Sequence, residues 1–180
     1  DDSDMDVFVT EYGADRILFY ENNNLTWIKQ TIGNLTGVVG LDLLDVNDDG
    51  HMDVIVAAWK SNTVAWYEND GADTINWTPH IIDNTLAGAE VVRAKDINGD
   101  GTLDVVAAGD PGRLTWYENN FPLAWTAHDI SLNVPGGSGN MYVADINNDD
   151  KPDVVRTGNS KVILFINNLP NTVWTEISID

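Results

Sequence analysis

The residues best placed to do chemistry are oxygen donors that recur in register. Asp45-Val-Asn47-Asp-Asp49-Gly-His51-Met-Asp53 sets side-chain oxygens at loop positions 1, 3, 5 and 9, with a glycine at position 6 where the chain must turn sharply. Hard oxygens at that spacing suit Ca2+, which takes about six to eight of them at roughly 2.3–2.6 Å, one being the backbone carbonyl of position 7. Asp96, Asn98, Asp100, Thr102 and Asp104 repeat the pattern around Gly101. A third copy runs Asp145, Asn147, Asp149, Lys151 and Asp153, with Asp150 in place of the glycine and Pro152 just before the last donor. That copy is expected to be weaker or distorted. His51, Thr102 and Lys151 stand at position 7 and would serve through their carbonyls, leaving the His51 side chain in solvent. Near the start only Asp2 and Asp6 remain of the set, so three complete Ca2+ sites and one truncated site are expected.

An EF-hand can be tested on the same residues, because it needs a bidentate Glu at loop position 12 and a helix on each side. Position 12 is Val56, Ala107 and Arg156, and strand-like runs follow. The EF-hand is therefore rejected. Asp and Asn also build turns without any metal, yet three copies with four oxygen donors in register favour the cation. Its expected role is structural: it relieves carboxylate repulsion and stabilises the folded loop by mass action.

These loops recur because the whole chain repeats. Asp53, Asp104 and Asp153 are spaced 51 and 49 residues apart, and Asp6 lies 47 residues upstream. An aromatic segment follows each: Phe19–Asn22, Trp66–Asn69, Trp116–Asn119 and the degenerate Phe165–Asn168. A tryptophan then opens a last segment, at Trp27, Trp77, Trp125 and Trp174. Each unit reads as four short strands: one before the Asp-rich loop, one after it, one carrying the aromatics and one opening at the Trp. The second, as in Val54–Ala58, is almost continuously apolar, as suits a strand covered on both faces. The last contains polar residues and Pro79, which fits an edge. Four-stranded units of this length predict an all-β, β-propeller fold of antiparallel blades. The predicted blades are 1–36, which lacks its first strand, 37–87, 88–136 and 137–180, about three and three-quarter blades. The fold is then a partial propeller, or one completed by another chain.

Composition removes several classes of function. Nine Lys and Arg against 29 Asp and Glu give a formal charge of −20, which would repel a phosphate backbone, so no nucleic-acid partner is expected. No apolar run approaches the roughly 20 residues of a membrane-spanning helix, so no membrane insertion is expected. The absence of cysteine excludes thiol catalysis, disulfides and cysteine-ligated metals. The opening DDSDMD has no initiating Met, basic region or apolar stretch, so it reads as a processed or excised end without a targeting segment.

The segments DVNDDGHMDVIVAA, DINGDGTLDVVAAGDP and DINNDDKPDVV, each followed by its aromatic segment, resemble the FG-GAP or VCBS repeats. These are the calcium-binding blades of integrin α-subunit propellers and of many secreted bacterial proteins. DVVAAGDP, Asp104–Pro111, loosely matches the Gly-Ala-Pro element and the Phe-Gly element is absent, so the likeness is to the bacterial-type variant. The resemblance implies a propeller with Ca2+ between the first two strands of each blade and an extracellular, secreted or cell-surface location. It implies no single activity, since such propellers serve adhesion, glycan recognition and as accessory domains of polysaccharide-degrading enzymes.

Residues that repeat in register read as architecture, among them Glu21, Glu68 and Glu118, and His80 with His128. The turn after the second strand differs between units, carrying Tyr12, Trp59, Asp110 and Asn159. In an up-and-down blade these turns lie opposite the Asp-rich loops, where aromatics beside Asp and Asn suit sugar rings. Packing of Tyr12 and Trp59 between blades is the alternative. Sequons at Asn24, Asn34 and Asn76 matter only in a secreted eukaryotic protein. The leading expectation is a non-catalytic module that recognises a glycan or protein surface. The second is a scaffold or accessory segment whose partners are further blades or another copy of the chain. A polysaccharide lyase or hydrolase is a third, but no pair of carboxylates can be nominated for it.

Overall fold

The computed structural model describes residues 5–72, 75–134, 139–171 and 173–179. It is all-β, with four antiparallel sheets that follow one another along the chain. The first holds β1 (Val7–Glu11), β2 (Arg16–Asn23) and β3 (Thr26–Asn34), and the second β4 (Val38–Leu44), β5 (Asp53–Ala58), β6 (Thr63–Asn69) and β7 (Trp77–Asp83). The third holds β8 (Ala89–Lys95), β9 (Asp104–Gly109), β10 (Arg113–Glu118) and β11 (Thr126–Ser131). In the fourth lie β12 (Met141–Ala144), β13 (Asp153–Gly158), β14 (Lys161–Ile166) and β15 (Thr175–Ser178). Each sheet pairs its strands in chain order, and among the described residues the first has three strands against four in the others. These are the blades of a partial propeller. Among the described residues no helix is long and apolar enough to cross a membrane.

Side chains alternate along a strand, so one strand can serve two interfaces. Val54, Val56 and Ala58 of β5 pack with Ile17 and Phe19 of the first sheet, while Ile55 and Ala57 pack with Val105 and Ala107 of the third. Val106 and Ala108 of β9 then meet Val154 of the fourth sheet. Every residue of β5 and β9 is buried. That double burial explains their unbroken apolar runs, and each fully buried Val or Ile among them contributes about 1.5–3 kcal/mol.

The third strands of the second and third blades, β6 and β10, reach back into the preceding sheet. Tyr67 lies so close over Gly33 that a Cβ there would meet its ring, so β3 must be bare at this point. Tyr117 is buried and its hydroxyl donates to Asp83 Oδ2 at 2.7 Å. Burial pushes the Tyr117 hydroxyl pKa well up, and the Asp83 bond adds to it.

The strand register corrects the sequence alignment of the last unit. Val54 pairs with Tyr67, Val105 with Tyr117 and Val154 with Phe165, so Leu164–Asn167 occupies the place of Trp66–Asn69. The expected segment Phe165–Asn168 is displaced by one residue.

The same register puts Arg156 where the second and third sheets have Val56 and Ala107, each third after its loop's position-9 Asp. Its side chain is fully buried between the third and fourth sheets and pairs with Glu90 of β8. Burial raises the Glu90 pKa, the Arg156 charge opposes that rise, and the nearby Asp110 charge adds to it.

Candidate functional site

The three Asp-rich loops link the first two strands of the second, third and fourth sheets and share one bonding plan. The position-1 carboxylates of Asp45, Asp96 and Asp145 each accept the position-6 amide through Oδ2, at 2.9, 3.0 and 3.0 Å. Asn47, Asn98 and Asn147 accept the position-5 amide through Oδ1 at 3.3, 2.9 and 2.9 Å. Asp49, Asp100 and Asp149 accept the amides of His51, Thr102 and Lys151 at 2.8, 2.7 and 3.0 Å. The loops therefore curl around their own side-chain oxygens.

Two positions per loop need a left-handed backbone. Position 6 has φ of 88° at Gly50, 92° at Gly101 and 66° at Asp150. The third loop keeps the geometry of the others, so the distortion expected of Asp150 is absent. The side chain there works against its backbone, since a left-handed conformation costs a non-glycine residue about 1–2 kcal/mol, less for Asp. Asp150→Gly should accordingly raise unfolding free energy by about 0.5–1 kcal/mol in metal-free denaturation, and a loss of stability would refute this account.

Position 9 has a second duty. Asp53, Asp104 and Asp153 are fully buried. Through Oδ2 they accept the position-2 amides of Val46, Ile97 and Ile146 at 2.9, 3.0 and 3.1 Å. Through Oδ1 they accept the amides of Asn69, Asn119 and Asn167 at 2.8, 2.9 and 2.8 Å. Each thus clamps its loop to the end of the third strand. Burial pushes the Asp53 carboxyl up to about 6, partly offset by the two amides and reinforced by Asp49 and Asp45. Asp104 is pushed up to about 6 in the same way, by burial and by Asp100 and Asp96. Asp6 accepts the Asn22 amide at 2.9 Å, repeating half of this clamp, whereas Asp2 lies outside the described residues.

The donor set fits a hard cation: all oxygens, with three carboxylates of each of the first two loops inside one another's field. Among the described residues, however, no three Asp, Glu, His or Cys side chains are already drawn together as a metal cage. The loop amides hold the carboxylates, whose remaining lone pairs would have to serve the ion. The His51 ring lies against Gly71, outside its loop, and Lys151 Nζ donates to the Leu169 carbonyl at 2.6 Å.

Neighbouring loops are joined. Asn119 Nδ2 donates to the Val46 carbonyl at 2.9 Å, and Asn167 Nδ2 to the Ile97 carbonyl at 2.9 Å. Asn119 and Asn167, which receive the clamp of their own sheets, therefore each reach the loop of the sheet before.

Beside the loops, His80 stacks on Trp66 with ring centroids 4.4 Å apart and bonds Glu68 at 2.8 Å. His128 stacks on Trp116 at 4.3 Å and bonds Glu118 at 3.0 Å. Asn47 and Asn98 donate to those glutamates at 3.3 and 3.4 Å, connecting them to the loops. A cleft of about 710 Å3 between the third and fourth sheets is lined by Trp116, Glu118, His128, Lys151, Leu169 and Pro170, among others. Sequence reasoning passed over it, although the in-register His80 and His128 were its signal.

Tyr12, Trp59, Asp110 and Asn159 sit at the opposite end, on the turns that follow β1, β5, β9 and β13. Tyr12 and Trp59 are 45% and 44% exposed, and Lys60 Nζ stands 4.6 Å over the Tyr12 ring. None of the four lines the cleft above.

Comparison with known proteins gives a family and a fold. A sequence model described as the FG-GAP-like repeat matches residues 1–56, 45–107 and 96–156. No curated protein matches the chain. Among solved structures, one described as the basis of specific recognition of non-reducing terminal N-acetylglucosamine by an Agrocybe aegerita lectin is similar, with a TM-score of 0.56 and 19% identity. The similarity covers 88% of this chain and 45% of the lectin chain. This chain therefore spans less than half of that protein.

Proposed function

Because the chain belongs to the FG-GAP-like repeat family, we propose that it is an extracellular, calcium-stabilised propeller segment that recognises a glycan or protein surface without catalysis. The observation that carries this reading is the common bonding plan of the three loops, which presents the same hard oxygens at the same places. Asp45, Asn47, Asp49, Asp53 and the His51 carbonyl would hold one Ca2+. Asp96, Asn98, Asp100, Asp104 and the Thr102 carbonyl would hold a second, and Asp145, Asn147, Asp149, Asp153 and the Lys151 carbonyl a third. A bound ion supplies charge neutralisation and a fixed loop. The protein's share is to pre-shape each turn and to clamp it to the third strand.

For recognition, Tyr12, Trp59, Asp110 and Asn159 remain the proposed ligand residues. The lectin's sugar makes glycans the first class to screen. A second reading, a scaffold or accessory segment, is favoured by the three-stranded first sheet: β1 lies at its edge, where a further strand could pair.

Thermal melts with Ca2+ and with EGTA test the metal. At a calcium concentration about 100-fold above Kd, each site adds roughly 2.7 kcal/mol. For a chain of this length that is on the order of 5–10 °C per site. No shift, together with no calcium in metal analysis, would sink the claim. A glycan array probed under both conditions tests the ligand: a calcium-dependent hit lost on Trp59→Ala is the expected result. No hit from a folded protein transfers the reading to the scaffold.

A further inference from the structure

The cleft between the third and fourth sheets has a counterpart one sheet earlier, and a ring separates the two. Trp66, Glu68 and His80 correspond in register to Trp116, Glu118 and His128. Over the first trio comes the turn that follows Asn119, with Phe121 and Pro122; over the second comes the turn that follows Asn167, with Leu169 and Pro170. Phe121 lies edge-on to Trp66, with centroids 6.4 Å apart and the planes at 90°. Leu169 occupies the same position and brings no ring, and the cleft stands beside it.

From this difference we propose that the cleft is a docking slot for an aromatic side chain of a partner protein, presented on a short turn as Phe121 is presented within this chain. The floor is already built for a ring. His128 is held flat on Trp116 by stacking and by its bond to Glu118, so it stays in place when the ring arrives. Leu169 and Pro170 supply an apolar wall, and Lys151, tied to the Leu169 carbonyl, fixes that turn. The volume lies within the roughly 300–1,000 Å3 of ordinary ligand pockets. An edge-on aromatic pair adds about 0.5–1.5 kcal/mol beyond the area it buries. The proposal goes beyond surface recognition at the opposite end, and its failure would leave that reading untouched.

The test uses the calcium-loaded chain and a synthetic peptide copying residues 119–124, Asn-Asn-Phe-Pro-Leu-Ala, followed by NMR of the tryptophan indole and histidine ring resonances. Saturable shifts at Trp116 and His128 are expected. The same peptide with leucine for phenylalanine should bind roughly tenfold more weakly, which corresponds to about 1.4 kcal/mol. Leu169→Phe should plug the slot from within and abolish binding. Conversely, Phe121→Leu should open a second slot, in which Trp66 also responds, and this arm decides the matter if Leu169→Phe does not fold. Absence of any shift at Trp116, or no response at Trp66 in the folded Phe121→Leu variant, overturns the proposal. So does displacement of the peptide by simple sugars that move the Trp116 signal, which would make the cleft a glycan site.

Discussion

Asp104→Ala is expected to destabilise the protein by about 2–6 kcal/mol even in EGTA, because it strands two amides at about 1–3 kcal/mol each. The carboxylate is buried and accepts the Ile97 and Asn119 amides, and alanine replaces neither bond. Asp100→Ala should behave differently. Its bonds lie within the exposed loop, where water can take over, so most of its loss should show only with calcium present. Denaturant unfolding of both variants with and without the metal separates the two roles. If Asp104→Ala were harmless in EGTA, position 9 would be a ligand and nothing more.

Glu90→Ala should cost about 3–5 kcal/mol, since breaking a buried pair leaves an uncompensated charge. Arg156 is wholly enclosed, Nη2 makes the pair with Glu90, and Nε and Nη1 have no hydrogen-bond partner among the described residues. Removing both charges, as in the Glu90→Gln, Arg156→Met pair, should recover most of that loss, because apolar replacement of a buried pair is often neutral or stabilising. A double-mutant cycle measures the coupling. Additive effects would mean that the guanidinium finds water and that the pair is incidental.

The strands, their order and the Asp-rich loops were legible because burial on both faces and oxygen donors at fixed spacing leave a direct trace in residue type. Val54–Ala58 reads as a doubly covered strand and is one. The last aromatic segment was misplaced for a geometrical reason. The clamp spans 16 residues from Asp53 to Asn69, 15 from Asp104 to Asn119 and 14 from Asp153 to Asn167. The turn between the second and third strands shortens by one residue per sheet, from Trp59–Asn62 to Asn159–Ser160, and an alignment anchored on aromatic type does not register it. Arg156 was in view only as a failed EF-hand ligand. Its burial follows from sharing a register with Val56 and Ala107, which needs the pairing to be known. The cleft depends on one turn carrying Leu169 where its counterpart carries Phe121, and a difference in side-chain reach between adjacent sheets has no signature in periodicity.

The asparagine that joins successive loops gives the array a direction. Every donor, Asn119 or Asn167, points towards the sheet before it, and every acceptor, the Val46 or Ile97 carbonyl, faces the sheet after. The joint is heterologous, head to tail, so it can close a ring or propagate but cannot pair two like ends. Ile146 holds the corresponding position in the last loop. A blade added beyond the fourth sheet must bring its own asparagine to that carbonyl, whereas one added before the first must bring a loop to receive Asn22, the residue that Asp6 clamps in the first sheet. Growth of the array by duplication is thus vectorial: a functional new unit carries one donor and one acceptor in fixed order, and a unit inserted in reverse has nothing to hold.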